Sequence, residues 1–324
     1  MEICYWMKGA CALISCSVSL LVGGCHLAQE QLPESSATIS EELSDYTWSG
    51  IGFGIDMSFE LQGVSEIQGD RISAATEQRI QELEQSFSLY LENSELRILN
   101  RERALHKPTQ DFLNVLQMAE LLSRRTKGYD QPAIHGAWSS LELRKSDPEK
   151  WVQLCEEATL KGVKVSNVSV EMTQASTQLS FNALVQGYLA DQVKDVIVRA
   201  GVKSALLHLG ETYGVGEHPE GRAWKLAVMG SRGEHEVDQI GVVEFSDSGL
   251  AVSAHDEKRQ LLNPKNWTVN QQNRVVAVIS SEGATVADAF ATAFAVAPPS
   301  DWEALYVELG KNSDCQVKVW VESQ

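Results

Sequence analysis

The sequence predicts an α+β (mixed α/β) fold. Some segments carry apolar residues at helical spacing, and others alternate or run apolar as strands do. The two kinds are interleaved without the strict alternation that builds a doubly wound parallel sheet. No Gly-x-Gly-x-x-Gly follows a strand; Gly214-Val215-Gly216 is isolated and reads as a turn, so a dinucleotide is not expected to bind in Rossmann fashion.

The elements follow in chain order. Ala10 to Leu21 is apolar behind Met7-Lys8 and ends in Val22-Gly23-Gly24-Cys25. That run is short for a membrane span, and small residues before a Cys resemble a bacterial lipobox. Residues 1–24 are therefore expected to be a signal peptide, starting at Met1 or Met7, with lipid on Cys25. A plain signal peptide cut nearby and an uncleaved anchor are the alternatives. Residues 25–45 are polar and read as a tether, and 46–324 as the folded domain. The implied location is the bacterial periplasm, on a membrane.

Within the domain, Ile51 to Leu61 alternates loosely as a strand. Thr76 to Leu91 places Ile80, Leu83 and Phe87 on one helical stripe. Thr109 is a candidate N-cap for a helix through Phe112, Leu116, Ala119 and Leu122, ending before Gly128. Val163 to Met172 is strand material. Asn182 is a candidate cap for a helix through Leu184, Tyr188, Val193 and Ile197, closed by Gly201. Ser204–Leu209, Trp224–Met229, Ile240–Phe245, Arg274–Ser280 and Cys315–Glu322 are further strands. Gly283 to Ala297 is rich in Ala, is stopped by Pro298-Pro299, and reads as a buried helix.

Charge and cysteines narrow the partners. The 324 residues carry 27 basic against 44 acidic groups, a formal charge of −17. Such a surface repels nucleic acid and anionic lipid. A phosphate-bearing ligand would need a metal ion or a local cluster to reverse the field. Cys4, Cys11 and Cys16 leave with the signal, so Cys155 and Cys315 remain, paired or as buried thiols. Neither has Cys-x-x-Cys spacing, so zinc and thioredoxin-like readings find no support.

Asp288 and Thr292 are four apart on the buried helix and share a face. A carboxylate and a hydroxyl in apolar surroundings need a partner. A hard cation such as Mg²⁺ satisfies both; a dipole-favouring Asp and a Thr bonded to its own helix are the structural alternative.

Several segments together resemble the ApbE family, the FAD:protein FMN transferases. They are Leu89-Tyr90-Leu91-Glu92-Asn93-Ser94-Glu95-Leu96 with Asn100, Thr126-Lys127-Gly128-Tyr129-Asp130, Asn182-Ala183-Leu184-Val185-Gln186-Gly187-Tyr188, His208-Leu209-Gly210-Glu211, Leu250-Ala251-Val252-Ser253, Leu261-Leu262-Asn263-Pro264 and Ala287-Asp288-Ala289-Phe290-Ala291-Thr292-Ala293. The resemblance implies Mg²⁺-dependent transfer of FMN from FAD to a Thr hydroxyl of an acceptor protein, with release of AMP. It implies a flavin-accepting membrane or periplasmic redox protein as partner. It also implies a metal held by Asp288, Thr292 and the backbone carbonyl of Ala183.

The remaining site residues come from the matching segments. Tyr90 and Tyr129 offer ring faces to a flavin or adenine. Gly128, Asp130 and Ser253 fall beside them in the motif order. The chain departs from the family pattern at several positions, among them Gly210-Glu211, Trp267 and Phe53-Gly54-Ile55. The family Lys that pairs with phosphate is Gln186, the Asp six residues earlier is Ser180, the family His is Gln260, and its following Asp is Asn263. A Lys-to-phosphate contact is worth roughly 1.5–3 kcal/mol, so Gln186 weakens but does not forbid binding. His255 is the candidate to stand in for the missing His. The alternatives to transfer are a catalytically impaired flavin-binding lipoprotein and an FAD pyrophosphatase giving FMN and AMP.

Overall fold

In a computed structural model of the protein, residues 42–166, 168–232, 236–254, 261–269, 274–311 and 314–321 are described. The stretch expected to be a signal peptide, Cys25 and most of the expected tether fall outside these residues, as do His255 and Gln260. Among the described residues no helix is long and apolar enough to cross a membrane.

The chain opens with β1 (Ser44–Gly52) and β2 (Ile55–Val64), which pair as a hairpin. The sequence reads one strand across this region. The turn lies at Phe53-Gly54, both with positive φ, the mirror-image geometry that suits two-residue hairpin loops. The Phe53 N–H donates to Glu84 Oε1 at 2.7 Å, which ties the turn down. Next comes α1 (Glu66–Phe87), which begins well before the predicted Thr76. Its first half buries Gly69, Ile72 and Ser73 rather than a row of large apolar residues, so its periodicity is faint. Ser65 caps it through Gln68 N.

After α1 come α2 (Glu95–Glu102), β3 (Ala104–His106) and α3 (Gln110–Arg125). Thr109 Oγ1 accepts from Phe112 N at 3.2 Å, the N-cap expected of it. Three short helices follow, α4 (His135–Trp138), α5 (Leu143–Ser146) and α6 (Pro148–Glu157). The predicted strand from Val163 to Met172 is a small hairpin of β4 (Val163–Val165) and β5 (Ser169–Met172).

The next helix is α7 (Val185–Arg199). Asn182 does not cap it. The N-cap position is Leu184, without a side-chain bond, and Asn182 is exposed in the preceding turn, where Val185 N–H already bonds Phe181 O at 2.8 Å. Strands β6 (Ala205–Leu209), β7 (Glu211–Val215), β8 (Trp224–Arg232), β9 (Glu236–Phe245), β10 (Ser248–Ala254), β11 (Leu262–Asn263), β12 (Thr268–Val269) and β13 (Arg274–Ser280) follow. The chain ends with α8 (Ala284–Val296), α9 (Trp302–Leu309) and β14 (Cys315–Val321).

The main sheet has the order β1-β2-β6-β7-β10-β13-β14, with antiparallel neighbours. Strand β13, between β10 and the edge strand β14, is buried at every position and reads as a nearly unbroken apolar run, as a strand covered on both faces must. Alternation sorts its side chains. Val276 and Val278 join the core made with α1, α7 and α8. Val275, Ala277 and Ile279 join a second core under the β8–β9 ribbon, with Trp224, Val243 and Phe245. Each Val, Ile or Phe among them stabilises the fold by about 1.5–3 kcal/mol on burial. Cys155 and Cys315 are both free thiols.

Candidate functional site

The site is built where α7 and α8 cross. Gly187, in the first turn of α7, has no side chain, so the Ala284 backbone approaches it: an added Cβ would lie 2.6 Å from the Ala284 carbonyl oxygen. Asp191, one turn later, caps α8. Its carboxylate accepts from Ala284 N at 2.8 Å, Thr285 N at 3.0 Å and Thr285 Oγ1 at 2.6 Å. The other end of α8 is held by the buried Arg274, which donates to the carbonyls of Phe294, Ala295 and Ala297. Asn263 Nδ2 donates to Val296 O at 3.0 Å. A carboxylate at the N-terminus and a cation at the C-terminus complement the helix dipole.

Clamped in this way, α8 is buried along its whole length except at Thr292, which is partly exposed. Asp288 is 5% exposed and its Oδ2 has no hydrogen-bond partner among the described residues. The Gly187 N–H bonds the same carboxyl group. Burial, and then the charge of Asp130, push the Asp288 carboxyl well above the usual range. Asp130 is 4% exposed, also with an unpartnered Oδ2, and burial pushes it up to about 7. Glu211, at the start of β7, is raised by burial and by Asp288. One turn on from Asp288, Thr292 Oγ1 lies 3.2 Å from Ser253 Oγ on β10.

A cavity of about 320 Å³ opens beside this cluster. Of the sequence-predicted residues, Tyr129, Asp130, Ser180, Ala183 and Thr292 line it. They come from three separate stretches of chain, so the fold brings the motifs together. Tyr129 is fixed there: its hydroxyl donates to Asp301 Oδ2 at 2.5 Å, and Lys265 Nζ sits 3.8 Å from its ring centroid. Burial and then Asp301 push the phenol up to about 12. The rest of the wall is largely apolar, with Phe181, Leu261 and Val296. No Lys or Arg lines it among the described residues.

The other predicted residues lie elsewhere. Tyr90 is 89% exposed on a surface turn, outside the cavity lining. Gly128 forms a left-handed turn after α3 and is also outside it. Gln186 is half-buried in the first turn of α7, its side chain packed on the backbone of Gly210 rather than lining the cavity. Conversely, the cavity holds His135 and Trp138, which sequence reasoning did not single out. They follow Tyr129-Asp130 by only a few residues, and that proximity is the signal that was available.

The residues present fit a hard cation. Two buried carboxyl oxygens stand unpartnered, and a hydroxyl on the same helix face lies one turn away. Among the described residues no three His, Cys, Asp or Glu side chains form a metal-holding group. A set of one carboxylate, one hydroxyl and one carbonyl does not require one.

A model described as the ApbE family matches residues 52–316. The chain is 24% identical over 313 residues to the FAD:protein FMN transferase of Rhodobacter capsulatus, covering 90% of this chain and 57% of that one. It therefore spans a little over half the length of this curated relative. Solved structures share the fold. The flavin transferase ApbE from Vibrio cholerae superposes with a TM-score of 0.69 at 15% identity, covering 87% of this chain and 98% of that one. The flavinyl transferase ApbE of Pseudomonas stutzeri gives 0.69 at 19% identity, covering 86% and 95%. The ApbE protein of Thermotoga maritima gives 0.71 at 17%, covering 86% and 96%.

Proposed function

The chain belongs to the ApbE family, and from that premise we propose that it transfers FMN from FAD to a Thr hydroxyl of an acceptor protein, with Mg²⁺ and with release of AMP. The observation that carries the proposal is the buried, unpartnered Oδ2 of Asp288, one turn from Thr292 at the cavity wall. An oxygen in that position is costly unless a proton or a cation meets it.

Asp288, Thr292 and the Ala183 carbonyl would hold the ion. When bound, it neutralises the two phosphates so that a hydroxyl can approach. The chain's own residues do the rest. Tyr129, oriented by Asp301, and Trp138 present aromatic surface to a planar ring. Phe181, Leu261 and Val296 exclude water from the same cavity. Ser253 holds the Thr292 hydroxyl in place. The acceptor is then a flavin-carrying redox protein of the membrane or periplasm, and lipid on Cys25 would keep the enzyme beside it.

The test is to co-express the full chain with an acceptor subunit in a host lacking any other flavin transferase. Covalent flavin on the acceptor, lost with Asp288→Ala, supports the proposal; an unmodified acceptor removes it. One observation favours a second reading. Gln186 faces Gly210 and no Lys or Arg lines the cavity among the described residues, a lining that suits FAD held without turnover, or hydrolysed to FMN and AMP. AMP release measured with and without acceptor separates these.

A further inference from the structure

The geometry points to His135 as the group that takes the proton from the attacking hydroxyl in this chain; the inference rests on the transfer reading above. Three titratable side chains line the cavity among the described residues: Tyr129, Asp130 and His135. Tyr129 keeps its proton, because its hydroxyl is already donated to Asp301 and its titration lies at about 12. Asp130 faces Asp288, and in the transfer reading its open oxygen lies on the side where the cation would sit. His135 remains.

Its placement is fixed by the backbone. Ser180 N–H donates to Pro132 O at 2.8 Å, and Ile134 bridges Gln178. Gly136 lies so close to the same segment that an added Cβ would be 3.0 Å from Ser176 O. The stretch bearing His135 is thus stapled to the stretch that runs through Ser180 to Ala183, and both line one cavity. The ring lies nearly parallel to Trp138, with centroids 6.4 Å apart and planes 20° apart. No group among the described residues hydrogen-bonds the imidazole, so a ring nitrogen is left to accept.

The surroundings favour the neutral, proton-accepting ring. Burial first, and then the Arg97 guanidinium from α2, hold its titration below the ordinary value. On the side of α6, Trp151 and Cys155 pack under α4, with the thiol pushed up to about 11 and neutral. Asp130 and Tyr129 are the titratable neighbours across the cavity.

The step balances. The acceptor oxygen forms a bond to the FMN phosphorus as the bond from that phosphorus to the AMP oxygen breaks. AMP leaves with the electron pair, and the hydroxyl proton passes to His135 and then to water.

The experiment compares the full chain with His135→Ala, His135→Gln and His255→Ala, using FAD, Mg²⁺ and an acceptor protein. Transfer is expected to fall by about a hundredfold or more in both His135 variants. FAD affinity, read by flavin fluorescence, should hold. The acid limb of the pH profile should vanish, and added imidazole should restore part of the His135→Ala rate. A His135→Gln variant that retains both rate and acid limb overturns the inference while the transfer reading stands, as does loss confined to His255→Ala. If the parent chain binds FAD but never labels the acceptor, the transfer reading falls and this inference falls with it.

Discussion

Gly187 and Ala284 meet backbone to backbone, leaving less room than one methyl group: a Cβ on Gly187 would be 2.6 Å from the Ala284 carbonyl oxygen. The neighbouring atoms belong to the capped first turn of α8 and cannot swing aside as a flexible side chain would. Gly187→Ala should therefore destabilise the protein by about 1–3 kcal/mol, the usual cost of overpacking. Chemical denaturation checks this. An unchanged midpoint would mean that the two helices separate easily, and that Asp288 is not held by their contact.

Asp288→Asn should remove transfer yet stabilise the protein when no divalent ion is present. The native carboxyl is raised by burial and by Asp130, so its charged form is disfavoured in the fold. Thermal melts in chelator, parent against variant, supply the measurement. A variant that melts lower than its parent contradicts the idea of an uncompensated carboxylate.

A pH dependence follows from Asp130. Its carboxyl is raised from 3.8 to about 7 in the fold, so between these values the native state binds more protons than the unfolded state. Stability is then highest on the acid side of this window and is lost as pH rises through it, by up to about 4 kcal/mol from this group. Asp130→Asn should flatten that slope. Added Mg²⁺ should flatten it too, because a cation replaces the proton. Denaturation midpoints across the window, with and without the ion, test both statements.

Gln186→Lys should tighten FAD binding by about tenfold, the scale of one charge-assisted contact. Gln186 sits in the first turn of α7, just after Ala183 and Leu184 of the cavity wall. Flavin fluorescence titrations at low and high salt read the gain and its electrostatic origin. Equal affinity at both salts would place this position away from the phosphates.

Asp301→Asn should lower the titration of Tyr129 from about 12, since the Asp301 charge and hydrogen bond raise it. Ultraviolet titration of the phenol detects the shift. FAD binding should weaken in step, because the ring loses the contact that orients it in the cavity.

The sequence carried the fold best where one residue class repeats. The Ala-rich run with Val286, Phe290, Ala293 and Phe294 declared α8 within a residue at each end, because a helix buried all round needs small and apolar side chains everywhere. β13 was legible for the same reason. The first half of α1 was not, because it packs through Gly69 and Ser73 against Tyr46, a contact that only the fold creates. The placement of Asp288 and Thr292 on one buried helix was legible from their spacing, and Ala183 at the cavity wall was marked by motif order. The neighbour relation of Asp130 to Asp288 was not, because the two are 158 positions apart and meet only across the packed helices. The place of His135 in the cavity wall was not legible, because a lone His in a loop-like stretch has no pattern to mark it.

The Asp191 cap has a consequence for how such a chain can change over time. Ala183 lies just before α7, Asp288 lies within α8, and one carboxylate on the first helix fixes the start of the second. The two segments that carry the candidate metal oxygens are thereby aligned by a bracket that does not itself line the cavity. Positions outside that bracket, such as Gln186, are free to differ in identity while the approach of the two helices keeps its shape.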